Sequence, residues 1–240
     1  MKNSIHTFFV FVISILLYSC GNEASRNNDA QNEAEVEVGQ PEMTAMEKNG
    51  IKISEATGSP AFPDSRLGLE KPGDLTNLKT GKNTFVFNVE NYKLGSMTES
   101  PMADHTANSH QGQHIHWILN NEPYTAHYES TIEKELQTGK HLLLAFLSRS
   151  YHESLKHNTA YVLNQLNVGQ SDQVDFNLSD PHLFYSRPKG DYTAEEMQNL
   201  LLDFYLVNTD LSQNGMKVKV SIDGTEFILT QWKPYLVQGL

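Results

Sequence analysis

Histidine is the residue type whose number and placement offer chemistry in this sequence. Eight of its 10 histidines lie between His105 and His157. His114 and His116 stand two apart in His-Ile-His-Trp-Ile-Leu, so on a strand both imidazoles point to one face. His127 falls in the segment expected to return beside that strand, and His141 opens the next apolar run. Neutral imidazole is the commonest protein ligand for zinc and copper, so the candidate metal ligands are His114, His116, His127 and His141. The tight spacing of a zinc finger or of an HExxH helix is absent. The structural alternative is a set of unconnected edge histidines, with Trp117 covering the opposite face.

Arginine is scarce, and Arg26, Arg66, Arg149 and Arg187 are all there are. Two occupy matching contexts, Phe146-Leu147-Ser148-Arg149 and Phe184-Tyr185-Ser186-Arg187, each closing an apolar run. A guanidinium fork beside a serine hydroxyl, with Lys156 and Lys189 near in sequence, suits a phosphate or a carboxylate. The anion-binding candidates are therefore Arg149, Arg187, Lys189, Ser148 and Ser186. The alternative is two structural arginines paired with Glu153 or Asp191. Tyr151-His152-Glu153 is the one grouping that hints at acid–base work, and neighbours on a strand point to different sides. No nucleophile elbow and no glycine-rich phosphate loop is present, so no catalytic residue is assigned and a hydrolase is the unfavoured alternative.

These residues need strands to position them. His114 to Leu119 is rich in β-branched and aromatic residues and ends at Asn120-Asn121-Glu122-Pro123, a turn signal. Tyr124 to Ser130 reads as the returning strand. His141 to Ser148 (HLLLAFLS) is nearly all apolar, as expected of a strand buried between two layers. Thr84 to Val89, Ala160 to Val168 and Leu183 to Arg187 read as further strands, and Ala194 to Leu200 as a short helix. Between them, Ser96 to Gln113 is a long polar loop carrying His105 and His110, and loops of this length are commonly functional. The expected fold is all-β, an Ig-like β-sandwich.

At the N-terminus, Lys2 precedes an apolar run from Phe8 to Leu17 that ends at Leu17-Tyr18-Ser19-Cys20. That is the pattern of a signal peptide, residues 1–19, followed by a lipobox cysteine, so Cys20 is the expected lipidation site and the membrane the expected partner. Cys20 is the only cysteine, which excludes an internal disulfide. The expected location is the cell envelope, at the outer membrane. Residues 20–82 are acidic and poor in aromatics and read as a flexible tether. With a net charge of -11 and no basic stripe, nucleic acid is not an expected partner.

The two halves of the remainder look alike. Phe85 to Leu94 aligns without gaps to Leu202 to Leu211, Ile118 to Tyr124 loosely to Ser221 to Phe227, and Gln137-Thr138-Gly139 to Val237-Gln238-Gly239. This predicts one sandwich over 83–180 and a second, incomplete copy over 181–240. The first copy continues past its glycine into His141 to Ser148. The second stops one residue beyond, so its missing strands are expected to leave an open edge.

GQHIHWILNNEPY, HLLLAFLSRSYHESLK, LFYSRPKG and LLDFYLVN, spread over Gln111 to Leu240, resemble a family of Bacteroidota envelope lipoproteins that carry the label "phosphopeptide-binding protein". The first two segments are also similar to a small Ig-like periplasmic domain of unknown function, marked by a His-x-His strand and a Gly-Lys-His strand start. The resemblance implies a non-catalytic binding role with a phosphorylated or other anionic ligand, and a chain that runs on beyond Gly239-Leu240. The motifs of the usual phosphoserine readers are absent. Apart from zinc or copper, no cofactor is implied.

Overall fold

The computed structural model describes residues 12–15 and 45–240. Cys20, with residues 1–11 of the signal segment and 16–44 across its end and the start of the tether, lies outside the described residues.

The strands are β1 (Val12–Ile15), β2 (Met46–Lys48), β3 (Ile51–Glu55), β4 (Arg66–Lys71), β5 (Gly81–Glu90), β6 (His114–Leu119), β7 (Thr125–His127), β8 (Thr131–Leu136), β9 (Gly139–Ser148) and β10 (Tyr161–Val168). They continue with β11 (His182–Arg187), β12 (Leu200–Val207), β13 (Val218–Ile222), β14 (Thr225–Leu229) and β15 (Tyr235–Gln238). One helical turn, α1 (Met102–His105), and a 3-10 turn at Glu196–Asn199 complete the described elements. The architecture is an all-β sandwich, as its sequence implies.

Four sheets stack in layers. The sheet ordered β4-β5-β8 closes on β10-β9-β6-β7 through a core of Phe85, Phe87, Ile115, Trp117, Leu143, Ala145 and Leu147. Phe85 meets Trp117 edge-on, with ring centroids 4.8 Å apart. The sheet β11-β12-β15-β3-β2 closes on β13-β14 through Ile53, Leu202, Phe204, Val220, Phe227 and Val237. Each fully buried side chain of this size contributes about 1.5–3 kcal/mol. The second and third layers then pack on each other, with Ile118, Leu144 and Phe146 facing Phe184, Tyr205 and Val207. Phe146 stacks on Tyr205 at 4.6 Å.

This stacking explains the apolar runs. Leu143, Ala145 and Leu147 of β9 face one core, while Leu144 and Phe146 face the other. β12 behaves likewise and is buried along its whole length. A strand covered on both faces loses the polar alternation of a half-exposed one. Where β12 carries an acid, Asp203, the carboxylate is buried and ion-paired with Lys156, and it accepts a hydrogen bond from Ser154 Oγ at 3.1 Å.

The two sandwiches share a plan. The order β4-β5-β8 in one matches β11-β12-β15 in the other, and the hairpin β6-β7 matches β13-β14. Beside β6 lies β9, and in the corresponding place beside β13 lies the backbone of β1, with Val12 opposite Ser221. The long loop before β6 has no equivalent before β13.

Two expectations need correction. Residues 20–82 are not all tether: β2, β3 and β4 fall there, and β3 pairs with β15 (Ile53 opposite Val237) inside the second sandwich. The domain limits 83–180 and 181–240 shift accordingly. The first sandwich spans β4 to β10, and the second takes β2 and β3 from the N-terminal side and β11 to β15 from the C-terminal side. The physical reason is the Asn49-Gly50 turn, with φ of 52 and 82, flanked by a strand that alternates Ile51 and Ile53 with polar residues. Asn-Gly is a strong two-residue hairpin signal.

Candidate functional site

The site forms where the outer face of β6 meets β11. The β6–β9 register sets His114 opposite Ser148 and His116 opposite Phe146, so both imidazoles lie on the face turned toward the second sandwich. Both are fully buried. The third imidazole comes from His152, in the turn that follows β9. That turn is closed by the His152 N–H donating to the Arg149 carbonyl at 2.9 Å, and it holds His152 at φ 67. A left-handed backbone on a residue other than glycine is strained by about 1–2 kcal/mol, and such strain clusters at functional sites.

One ring nitrogen from each of His114, His116 and His152 lies within 4.8 Å of the other two. His114 Nε2 is 2.9 Å from His116 Nε2 and 3.1 Å from His152 Nδ1. His114 Nδ1–H donates to the Gly112 carbonyl at 2.8 Å, which leaves Nε2 as a lone pair facing both neighbours. On the far side of His116, Nδ1 lies 3.2 Å from Ser186 Oγ. Tyr124 stacks on His116 at 3.6 Å, and its hydroxyl is 3.3 Å from His152 Nδ1. Tyr128 leans on His114 and bonds Ser109 of the preceding loop at 2.7 Å.

Gly112 is required here. It has φ 84, and a Cβ on it would stand 2.6 Å from the Gly95 carbonyl carbon and the Ser96 oxygen. Its close approach to the Gly95–Ser96 backbone fixes the carbonyl that orients His114.

Burial is the largest cause of the pKa shift in all three imidazoles, and the Arg187 guanidinium adds to it. His114 is pushed down to about 4, His152 to about 2, and His116 well below the ordinary value. At neutral pH all three are uncharged, and each ring has one nitrogen lone pair to offer. Zinc–nitrogen bonds of 2.0–2.1 Å place tetrahedral ligands about 3.3 Å apart. The two short separations need to open by a few tenths of an ångström, and the third, at up to 4.8 Å, needs to close by about 1.5 Å. The bonds from His114 to a backbone carbonyl and from His116 to a serine are the outer contacts that orient metal-bound imidazoles. No carboxylate joins the trio, so the donor set is the nitrogen set that suits zinc or copper.

The other candidates are dispersed. His127 lies opposite Ile115, not opposite His116, so it faces the other side of the sheet, where it meets Thr125 Oγ1 at 2.8 Å. His141 sits at the other end of β9, between Asn120 Nδ2 and the Gln137 carbonyl, each at 2.9 Å. Its distance from the trio is roughly 20 Å at about 3.3 Å per residue. Both are corrected out of the ligand set and His152 enters it. His152 was legible only as the middle of Tyr151-His152-Glu153. The clue to its role was the register, since a strand ending at Ser148 beside His114 must put the following turn next to that ring. Glu153 points away from His152 toward Arg149, so no acid–base pair forms.

The anion candidates separate into two groups. Arg149 is consumed by structure: Nη1 pairs with Glu153 Oε1 at 2.8 Å and donates to the Ser154 carbonyl at 3.1 Å, and Nε donates to the Pro60 carbonyl at 3.1 Å. Ser148 Oγ donates to the Arg149 carbonyl at 3.3 Å. Arg187, Lys189 and Ser186 stand at the histidine trio instead. Arg187 Nη1 donates to Tyr124 Oη at 2.9 Å, and Lys189 Nζ rests 4.3 Å above the Tyr124 ring. Arg187 Nε is buried without a hydrogen-bond partner.

No family model and no curated protein matches this chain. Among solved structures, SGBP-B of the Bacteroides ovatus mixed-linkage glucan utilization locus, in complex with a mixed-linkage heptasaccharide, aligns at a TM-score of 0.26 and 11% identity. The alignment covers 70% of this chain and 47% of that one, so the chain spans about half of its neighbour's length. A likeness this loose carries no functional argument.

Proposed function

We propose that this chain is a non-catalytic binding protein of the cell envelope, tethered through Cys20, whose ligand centre is His114, His116 and His152 and whose ligand is a transition-metal ion, zinc or copper. The observation that carries the reading is the convergence of one ring nitrogen from each of three uncharged imidazoles, with His116 Nε2 and His152 Nδ1 both close to His114 Nε2. The single lone pair of His114 Nε2 serves two neighbouring rings at once. One metal ion satisfies all three when His116 keeps its proton on Nδ1, toward Ser186, and His152 keeps its own on Nε2.

The lack of a nucleophile elbow in the sequence and the divergence of His152 and Glu153 support binding rather than turnover. The test is metal analysis of the lipidated chain purified in mild detergent. One equivalent of zinc or copper is expected to survive dialysis, and His114→Ala and His152→Ala are each expected to lower metal affinity at least 100-fold. Lack of binding at micromolar metal overturns the reading. Melting curves of the metal-free variants separate a lost ligand from a lost fold.

A further inference from the structure

We propose that the open side of the histidine trio takes an oxyanion, a carboxylate or phosphate group, held between the metal ion and the Arg187 guanidinium with Lys189 beside it. The inference rests on the metal reading and names what fills the position that three histidines leave free.

The argument is one of charge. Arg187 is 5% exposed, and its partners are the Tyr124 hydroxyl, the Lys189 carbonyl and the Tyr192 ring, 5.3 Å away. Among the described residues neither Arg187 nor Lys189 has a carboxylate within ion-pairing distance, and the trio has none either. Arg187 Nε makes no hydrogen bond. A buried cation is normally paired, and removing its partner costs several kcal/mol. The same fold shows the normal case in Arg149, which is equally buried and holds Glu153.

Geometry places the unmatched charge at the trio. Arg187 is two hydrogen bonds from His152 Nδ1, through the Tyr124 hydroxyl, and Ser186, its neighbour on β11, touches His116. A divalent ion bound there would add two charges beside the buried and unpaired Arg187, with the exposed Lys189 at the rim. An oxyanion with one oxygen on the metal and another on the guanidinium fork cancels both sets.

The test is a zinc titration of the full chain in chloride, with inorganic phosphate or acetate added at matched ionic strength, for the natural chain and Arg187→Met. At least one oxyanion is expected to tighten zinc binding tenfold or more in the natural chain and to have no effect on Arg187→Met, which binds zinc alone at least as tightly. A response to phosphate alone assigns a phosphorylated ligand, and a response to acetate alone a carboxylate ligand. Zinc binding that ignores both anions overturns the inference and leaves the metal reading standing. Failure to bind either zinc or copper in any buffer overturns both. Stabilisation by the oxyanion in the presence of a chelator, abolished in Arg187→Met, overturns the bridging arrangement. Lys189→Met is the second variant, with the same direction and a smaller effect, should Arg187→Met not fold.

Discussion

Arg149 and Arg187 close the same short phrase, an aromatic, a second apolar residue or tyrosine, a serine and the arginine, and the fold treats them in opposite ways. Arg149 sits in a turn with the carboxylate of Glu153 four residues on, and Glu153 is itself fixed by Ser59 Oγ at 2.5 Å. Arg187 sits at the seam between the sandwiches with phenol, ring and carbonyl partners and no acid. Burial is alike, at 5% exposure for each. The difference teaches that neither a residue type nor its flanks assigns a role. What decides is whether the fold brings an opposite charge to the same place.

Breaking the satisfied member of the pair has the largest expected effect. Glu153→Ala leaves Arg149 buried without its acid and is expected to cost about 3–5 kcal/mol in urea unfolding of the metal-free chain. Arg187→Met is expected to be neutral or stabilising in the same experiment, since it removes a charge that has no partner to lose. Equal losses for the two variants would erase the contrast.

Acid sharpens it next. The folded-state values of His114, His116 and His152 lie below the ordinary histidine value, chiefly through burial, so the unfolded chain binds more protons in the interval between. The stability involved is present above about pH 6.5 and is lost as the pH falls, toward about 4 for His114 and toward about 2 for His152. At pH 5 the cost is roughly 2 kcal/mol for His114 alone. Thermal melts of the metal-free chain between pH 7.5 and 5 measure it, and Arg187→Met is expected to flatten the slope because one source of the depression is gone.

The smallest effect concerns the turn that the two regions share. His152→Gly relieves the left-handed backbone and is expected to raise the stability of the metal-free chain by about 1 kcal/mol, while weakening metal binding. A ring kept there only for packing would show the reverse, a loss of stability with metal affinity unchanged.

Much of this arrangement was legible locally. The His114–His116 pair follows from strand alternation alone, and the apolar run of β9 announced a strand with cores on both sides. Long-range pairing was not legible. Nothing near His152 shows that its turn abuts His114, and nothing near His127 shows that Ala126, one residue earlier, takes the place opposite His116. Strands β2 and β3 were missed for a different reason. Asn49-Gly50 is a plain hairpin signal, but the acidic composition around it outweighed it, and the partner that buries Ile51 and Ile53 lies at the other end of the chain.

That last pairing bears on how the molecule is assembled. Because Ile53 finds Val237 only after β4 to β14 have been made, the first sandwich is an insertion within the second. During synthesis β3 can pair with β2 at once, but its ladder with β15 stays unformed until the last strand emerges, whereas the inserted sandwich has all its own strands once Val168 has left the ribosome. Most of the histidine centre is thus built early, but Ser186 and Arg187 reach it only when the enclosing sandwich closes around its guest.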